Sequence, residues 1–270
     1  MDKSGNFVAG GKGRLRFAPD VSGLRLRELT GHDEWALEGT ATSDAIALLN
    51  RLIIQPAGVS IPAEEMIAAD RDRLLAEIYQ RTFGDRIENV LTCPQCRGPF
   101  DIDFSLDALL ATIERRDPVR VIKPLGENLF ESENGMRFRL PNGRDEQDLD
   151  ELNQEEAEAF LIRRCMVGDS APTDDDDLQE LLSEVAPLVD LEMSAKCPEC
   201  AHMQALHFDI QGYLLNALLG RRGLLSAEIH RLAVTYHWSL QEILSLTGKE
   251  RARFVAMIES ESERRRHALS

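Results

Sequence analysis

The sequence predicts an α+β protein that is mostly helical, with two β-hairpins that carry four cysteines and a helical C-terminal region. Long segments place apolar residues at the three- and four-residue spacing of amphipathic helices. Short segments on both sides of two Cys-Pro-x-Cys motifs instead alternate apolar and polar residues, as strands do. The last part of the chain returns to helical spacing and carries helix-capping sequences.

The composition is that of a globular protein in a reducing compartment. The chain has 270 residues, of which 43% are hydrophobic and 29% charged, enough for one large domain or two small ones. It contains no membrane-spanning apolar run, which would need about 18 residues, and its start lacks a signal-peptide pattern. Five cysteines, four of them in two pairs, favour a cytoplasmic protein with reduced thiols. The net charge of −16 opposes binding to nucleic acid, which depends largely on Lys and Arg.

Residues 14–85 are predicted to form an N-terminal strand and helices. The stretch 24–29 alternates like a half-buried strand. Thr30 begins a helix, because its hydroxyl is followed three residues later by an acid that can complete a capping box. Helical spacing predicts a second helix over 43–54 and a long amphipathic helix over 63–81.

The two Cys-Pro-x-Cys motifs are the strongest chemical signal in the chain. Cys93 and Cys96 form one pair, and Cys197 and Cys200 form the other. Two residues between cysteines is the spacing at which both thiolates can reach one zinc ion from a tight turn, and four sulfurs complete a structural tetrahedral site. The alternatives are two independent redox dithiols or a pair of disulfides. A redox pair usually lies at a helix N-terminus near a βαβ pattern, whereas both motifs here lie between strand-like runs.

The cysteines predict a zinc-ribbon-like module that is split along the chain. Residues 86–104 and 190–210 are expected to supply one hairpin each, with the intervening sequence as an insertion. Phe-Asp-Ile follows both motifs, at 100–102 and at 208–210, and each copy precedes an apolar helix. This is a weak internal repeat, in which neither half can close a tetrahedral shell alone.

Residues 105–189 are predicted to form an inserted hairpin and helices. Ser105 caps a short helix, Asn134-Gly135 is a two-residue hairpin signal, and a later helix is expected to break near Asn153. The predicted helices are 106–115, 145–166 and 178–186, and the predicted strands are 119–122, 129–132 and 136–140.

Residues 211–259 are predicted to be a helical C-terminal region. A helix over 214–236 has a possible break at Gly220 or Gly223. Capping boxes at Ser239 and Thr247 then open two further helices, which are predicted to end near Ser245 and Glu259. Residues 260–270 are expected to fray.

A search for catalytic motifs predicts no enzyme. The sequence has no Walker loop, HExxH, G-x-S-x-G or GxGxxG motif. His202 and His207 are close enough to the second motif to replace a cysteine ligand, but four cysteines make this unnecessary. Cys165 lies on an apolar helix face and is expected to be a buried thiol. Trp35 and Trp238 are each near a predicted helix start and are expected to pack there.

Five short pieces of the sequence, in a fixed order, carry a family resemblance. They are 26–34, 87–96, 136–143, 197–200 with 208–210, and 236–244 with 251–258. Over residues 24–259 they resemble the T-even-type phage baseplate hub assembly proteins and their relatives in contractile tails and contractile injection systems. The resemblance implies a non-enzymatic role in assembling the hub or baseplate of a contractile tail.

We therefore expect a zinc-stabilised assembly factor, or component, of a phage-like contractile tail. Its expected partners are baseplate, hub or tail proteins, with no membrane, no nucleic acid and no small-molecule substrate. The alternative is a zinc-ribbon nucleic-acid-binding regulator, since zinc ribbons commonly hold nucleic acid.

Overall fold

The protein is described from a computed structural model, and its outline agrees with the predicted fold class. The structure is 54% helical and also contains small antiparallel sheets and a four-cysteine cluster. The residues that the structure describes are 7–8, 15, 17, 24–55, 61–115, 119–126, 128–149, 152–168 and 175–268. Residues 169–174, which belong to the acidic stretch between the predicted helices 145–166 and 178–186, lie outside these ranges.

The helices and hairpins occur along the chain in the predicted order. The helices are α1 (Gly31–Ala36), α2 (Thr42–Leu52), α3 (Ala68–Phe83), α4 (Leu106–Glu114), α5 (Gly143–Gln147), α6 (Gln154–Cys165), α7 (Asp175–Val185), α8 (Ile210–Gly220), α9 (Arg222–Tyr236), α10 (Leu240–Leu244) and α11 (Gly248–Ala268). The strands are β1 (Phe7–Val8), β2 (Arg25–Leu26), β3 (Ile53–Ile54), β4 (Arg86–Thr92), β5 (Pro99–Ser105), β6 (Ile122–Gly126), β7 (Leu129–Ser132), β8 (Arg137–Phe138), β9 (Asp190–Lys196) and β10 (Met203–Asp209). The antiparallel pairings are β1-β2-β3, β4-β5, β6-β7-β8 and β9-β10.

The first helix begins where its capping signal predicted. Thr30 caps α1, and the Asp33 carboxylate accepts hydrogen bonds from the Thr30 backbone and hydroxyl, each 2.9 Å long. The second helix ends at Leu52 rather than at 54. Ile53 and Ile54 instead pair with β2, so the end of the predicted helix is a strand.

The long helix predicted over 63–81 is wrong at its start. Residues 63–65 form a single 3₁₀ turn, and α3 begins only at Ala68. The intervening backbone pairs with the inserted segment: Ala68 N–H donates to Pro141 O at 3.4 Å, and Gly143 N–H donates to Met66 O at 3.1 Å. Tertiary pairing therefore overrides the helical periodicity here.

The inserted hairpin is present with a longer loop than the sequence predicted. Ser132 and Met136 close a three-residue loop, in which Gly135 has φ +78°, a conformation that glycine adopts without strain. Strand β6 precedes this hairpin and begins at Ile122. The strand predicted over 119–122 is therefore displaced, because it was expected to end where β6 begins. The expected break near Asn153 is confirmed, because its side chain caps α6.

The C-terminal region is confirmed as helical, but the predicted end of its last helix is wrong. The break falls at Gly220, between α8 and α9. The last helix, α11, continues to Ala268, although fraying was predicted from residue 260. This extension is rich in Glu and Arg, which are good helix formers, and its final turn is basic, which suits the negative end of the helix dipole.

The apolar residues form a main core and a second core. The main core joins α2, α3 and α8 to the bases of the two cysteine hairpins. The second core lies under the β6-β7-β8 sheet and includes Cys165 together with residues of α7. The predicted division into residues 14–85, 86–104 with 190–210, 105–189 and 211–259 stays a prediction.

A buried block of charge at the start of α3 connects these parts. Residues 70–73 read Asp-Arg-Asp-Arg, and all four are at most 7% exposed. Arg71 forms an ion pair with Glu146 of α5. The Asp72 carboxylate accepts a 2.9 Å hydrogen bond from the backbone of Val189, directly before β9. Buried charges are rarely left unpaired, so these residues fix the insertion and the second hairpin to α3.

Candidate metal centre

The first cysteine motif lies in the turn of the β4-β5 hairpin. The two strands pair from Arg86 with Ser105 to Thr92 with Pro99. In the turn, Cys93 N–H donates to Gly98 O at 3.0 Å and Arg97 N–H donates to Cys93 O at 2.9 Å. The turn requires Arg97 to adopt a left-handed conformation, with φ +60°.

The second cysteine motif repeats this turn in the β9-β10 hairpin. Cys197 N–H donates to His202 O at 2.9 Å, and Ala201 N–H donates to Cys197 O at 3.0 Å. Ala201 has φ +59°, matching the residue at the same place in the first turn. Both hairpins therefore present their thiols in the same way.

The structural repeat is real, but the Phe-Asp-Ile match does not mark it. The two Phe-Asp-Ile copies are further apart in the chain than the two cysteine motifs, so they are not equivalent. The first lies near the turn end of β5, and the second lies where β10 runs into α8. The equivalent aromatic residues are Phe104 and Phe208, whose rings meet edge to face at 5.1 Å. Ser105 and Asp209, the next residues, cap the helices that follow.

The four predicted ligands converge on one point. The Sγ atoms of Cys93 and Cys200 are 3.6 Å apart, and those of Cys96 and Cys197 are 3.7 Å apart. All four sulfurs lie within 4.8 Å of one another. A tetrahedral ion with metal–sulfur bonds of about 2.3 Å needs sulfurs roughly 3.8 Å apart, whereas a disulfide needs about 2.05 Å. The spacing fits one tetrahedral metal ion, and not disulfides or two separate dithiols.

The sulfur pairing has the reciprocity of a twofold axis. The first cysteine of each motif, Cys93 or Cys197, lies next to the second cysteine of the other motif, Cys200 or Cys96. Two copies of one hairpin, related by an approximate rotation, thus form a shell that neither copy contains.

The centre lies at the edge of the protein with one side covered. Cys93 and Cys197 are at most 1% exposed, and they pack with Phe100 and Ala195 in a small apolar cluster. Cys96 is exposed, so an ion could reach the sulfurs from solvent.

Backbone amides face the sulfurs and favour their anionic form. The backbone N–H of Cys96 is the main cause that lowers the pKa of the Cys93 thiol to about 6. At Cys200 the N–H of His202 also lowers the pKa, but burial and hydrogen bonds to the other sulfurs raise it to about 12. A divalent cation would counter the repulsion between four neighbouring thiolates and favour their deprotonation.

The other candidate residues are not members of the four-sulfur cluster. His202 contributes its carbonyl to the second turn. The His207 ring points to carboxylates of its own hairpin, with Nε2 3.3 Å from Asp190 and Nδ1 3.6 Å from Glu192. Cys165 is confirmed as a buried thiol, and burial raises its pKa to about 11. Across the described ranges, the cluster that could hold a metal consists of the four predicted cysteines.

The arrangement can hold an ion but leaves that ion no free coordination position for a substrate. Four protein sulfurs fill a tetrahedral shell, and a filled shell leaves no coordination position for a reacting water. The chemistry that this donor set supports is therefore structural.

Comparison of the chain with protein-family models, with curated proteins and with solved structures gives no match. Among the described helices, none is both long and apolar enough to cross a membrane. The likeness to the baseplate hub assembly proteins thus stands on the ordered sequence pieces alone.

Sequence reasoning missed a second group of polar residues, which lies in the helical core. Arg251 is fully buried and binds two carboxylates, Glu34 at 2.5 Å and Glu228 at 2.8 Å. These residues come from α11, α1 and α9, and nothing in their local sequence separates them from surface charges.

The two tryptophan predictions have different outcomes. Trp238 stacks on Tyr236 at 4.9 Å between ring centroids, whereas the expected packing of Trp35 is wrong, since Trp35 is 52% exposed.

Proposed function

We propose that the four cysteines hold one zinc ion, and that this ion is a structural staple. The observation that supports this most strongly is the sulfur spacing, with two pairs at 3.6 and 3.7 Å. Zinc is the common metal for four thiolates in a tetrahedron. A cytoplasmic location, which the free thiols favour, would keep the ligands reduced.

The staple has a clear structural purpose. The two ends of each hairpin are joined at its base, where Leu106 N–H donates to Asp85 O and Ile210 N–H donates to Val189 O. The turns are far from these bases, and the inserted segment separates the hairpins in sequence. An ion shared by both turns would fix the hairpins against each other and offset the cost of ordering the long connection.

Metal analysis of the purified protein tests this step. We expect about one zinc per chain in the parent and in Cys165→Ala, whose substitution lies outside the centre. Cys96→Ser should lose the metal, and because Cys96 is exposed this variant disturbs the packing least. Full metal content in Cys96→Ser would contradict the assignment.

We further propose that the protein is a non-enzymatic assembly factor or component of a phage-like contractile tail, and that it binds other baseplate, hub or tail proteins. The ordered resemblance over residues 24–259 supports this role. The net charge of −16 supports docking on basic protein surfaces, since complementary charge speeds and selects association. A closed structural metal site also suits a binding protein better than an enzyme.

Co-purification from the native host tests the assembly role. The tagged protein should enrich baseplate or tail proteins, identified by mass spectrometry, and Cys96→Ser should enrich fewer of them. The alternative, a nucleic-acid-binding regulator, is tested by a gel shift at physiological salt. Tight, salt-sensitive binding of DNA or RNA, with no tail protein recovered, would overturn the proposal.

A further inference from the structure

A cavity of about 210 Å³ lies in the helical part of the molecule, apart from the cysteine centre. It is bounded by the segment after β2, by the end of α3 and by the first turn of α11. Its walls combine aliphatic and charged side chains. The residues that line it are Leu26, Arg27, Glu28, Leu29, Glu34, Leu52, Ile78, Arg81, Thr82, Arg221, Thr247, Gly248, Lys249 and Ala252.

The cavity lining has more cationic than acidic side chains, in a protein that is acidic overall. It contains four cationic side chains and two acidic ones, although the whole chain has a net charge of −16. Two of the cations are already paired: Arg27 binds Asp33 through two hydrogen bonds of 2.6 and 2.7 Å, and Arg81 forms an ion pair with Glu77. Arg221 differs, since its guanidinium lies over the Phe83 ring at 5.6 Å and makes no hydrogen bond within the described part of the chain.

The helix that opens on the cavity adds to this positive character. α11 is 21 residues long, and Gly248 and Lys249 of its first turn line the cavity. A helix N-terminus carries a partial positive charge and backbone N–H groups without partners inside the helix, of which the Glu250 N–H is capped here by Thr247 Oγ1 at 3.3 Å. The Lys249 ammonium is held beside it by the Arg81 carbonyl at 3.2 Å.

A buried acceptor without a partner lies in the same cavity. Glu34 is 3% exposed, and its Oε2 is bound by Arg251 at 2.5 Å. Its Oε1 is buried and has no hydrogen-bond partner among the described residues. Burial raises the pKa of this carboxyl, against the lowering effect of Arg251 and Arg221. An unpaired buried oxygen destabilises the folded protein, so a ligand that donates a hydrogen bond here would offset that cost.

The unpaired oxygen and the cation flank the same small residue. A Cβ atom placed on Gly248 would lie 3.2 Å from Arg221 Nη2 and 3.5 Å from Glu34 Oε1. An anion and a neighbouring donor on one ligand could therefore reach both groups across this glycine.

We propose that this cavity binds an apolar group that carries a carboxylate and an adjacent N–H, the chemistry of a C-terminal residue of a polypeptide or of an N-acyl amino acid. The carboxylate lies against Arg221 and Lys249 at the start of α11. The N–H donates to Glu34 Oε1, and the aliphatic side chain contacts Leu29, Leu52 and Ile78. The proposal rests neither on the metal nor on the assembly role.

Calorimetric titration of the full chain tests this with three small probes. N-acetyl-leucine carries all three features, N-acetyl-leucinamide lacks the negative charge, and 4-methylpentanoate lacks the N–H. We expect N-acetyl-leucine to bind at least tenfold more tightly than the amide. Weaker binding of 4-methylpentanoate supports a peptide or acylated amino acid as the natural source. Equal binding of the first two probes, or binding of none at millimolar concentration, overturns the proposal.

Substitutions locate the binding. Arg221→Gln and Lys249→Gln should each weaken N-acetyl-leucine binding about tenfold, and Lys249 is exposed, so its replacement does not endanger the fold. Gly248→Ala adds a methyl group between Arg221 and Glu34 and should also reduce affinity. Arg253→Gln, an exposed arginine on the same helix that does not line the cavity, is the matched control. Undiminished binding by Lys249→Gln and Gly248→Ala would place the ligand elsewhere and overturn the proposal.

Discussion

The two cysteine hairpins share their turns but differ in how they are attached to the core. In both, the first cysteine makes the same two backbone hydrogen bonds, and a non-glycine residue adopts a left-handed conformation. The first hairpin is anchored by neutral hydroxyl groups: Tyr213 donates to Glu88 O at 2.6 Å, and Tyr79 donates to Arg86 O at 3.0 Å. The second is anchored by a buried carboxylate, Asp72.

This difference separates the metal site from its supports. The sulfur shell is close to symmetric, so each hairpin should be equally necessary for binding an ion. The supports are asymmetric, so pH should affect the attachment of the second hairpin more than that of the first. The predictions below test the symmetry first and the asymmetry next.

The largest expected effect is loss of the zinc ion when a cysteine of either hairpin is replaced. Cys93→Ser and Cys197→Ser should each reduce zinc content to background, because each hairpin supplies only half of the shell. Both variants should also melt at a lower temperature than the zinc-loaded parent, with Cys165→Ala as the control for metal content. If one of the two variants retained full metal while the other lost it, the reciprocal site would be wrong.

The second expected effect is a pH dependence that comes from Asp72. Burial raises its pKa to about 7, although the Val189 N–H and Arg71 lower it. The unfolded carboxyl titrates near 3.9, so the unfolding free energy should fall as pH rises from about 4 to about 7. Asp72→Asn removes this fall, and its amide oxygen can still accept the Val189 hydrogen bond.

At pH 8 the Asp72→Asn protein should be more stable than the parent, by on the order of 1–3 kcal/mol, and near pH 4 the two should be similar. Denaturant unfolding across this pH range measures the difference. Parallel pH profiles for the two proteins would show that Asp72 does not titrate as described.

The third expected effect concerns the supports of the first hairpin. Tyr213→Phe removes two hydrogen bonds, since the hydroxyl also accepts one from Glu88 N–H at 3.1 Å, and should cost about 1–2 kcal/mol of unfolding free energy. Tyr79→Phe removes one and should cost about 1 kcal/mol. Tyr236→Phe is the control, because its hydroxyl makes no hydrogen bond in the described ranges. A loss in Tyr236→Phe equal to that in Tyr213→Phe would argue against this anchoring.

The smallest expected effect concerns the left-handed turn residue that both hairpins contain. Arg97 and Ala201 both have φ near +60°, where a side chain costs about 1–2 kcal/mol and glycine is unstrained. Arg97→Gly and Ala201→Gly should each raise the unfolding free energy by about 0.5–1 kcal/mol, as measured by urea titration. A destabilising change at both positions would indicate that the turns differ from those described.

The sequence was a good guide where local chemistry decides the structure. The cysteine spacing predicted all four members of the sulfur cluster, and the strand-like runs around them predicted one hairpin within 86–104 and another within 190–210. Capping sequences at Thr30, Ser105 and Ser239 predicted helix starts, because the side chains that satisfy the first backbone N–H groups are neighbours in the chain.

The sequence was a poor guide where distant segments decide. The start of α3 is set by pairing with Pro141 and Gly143, which no periodicity can reveal. The repeat was identified, but through Phe-Asp-Ile rather than through Phe104 and Phe208, because short matches do not fix a register. The cavity beside Glu34 depends on contacts between α1, α3 and α11, so its residues looked like ordinary surface charges.

X-ray absorption spectroscopy of the zinc-loaded protein tests the central claim most directly. A single ion shared by the two hairpins should show four sulfur neighbours at about 2.3 Å and no nitrogen or oxygen ligand. Fewer than four sulfurs per zinc, or a nitrogen or oxygen neighbour in the first shell, would contradict the account.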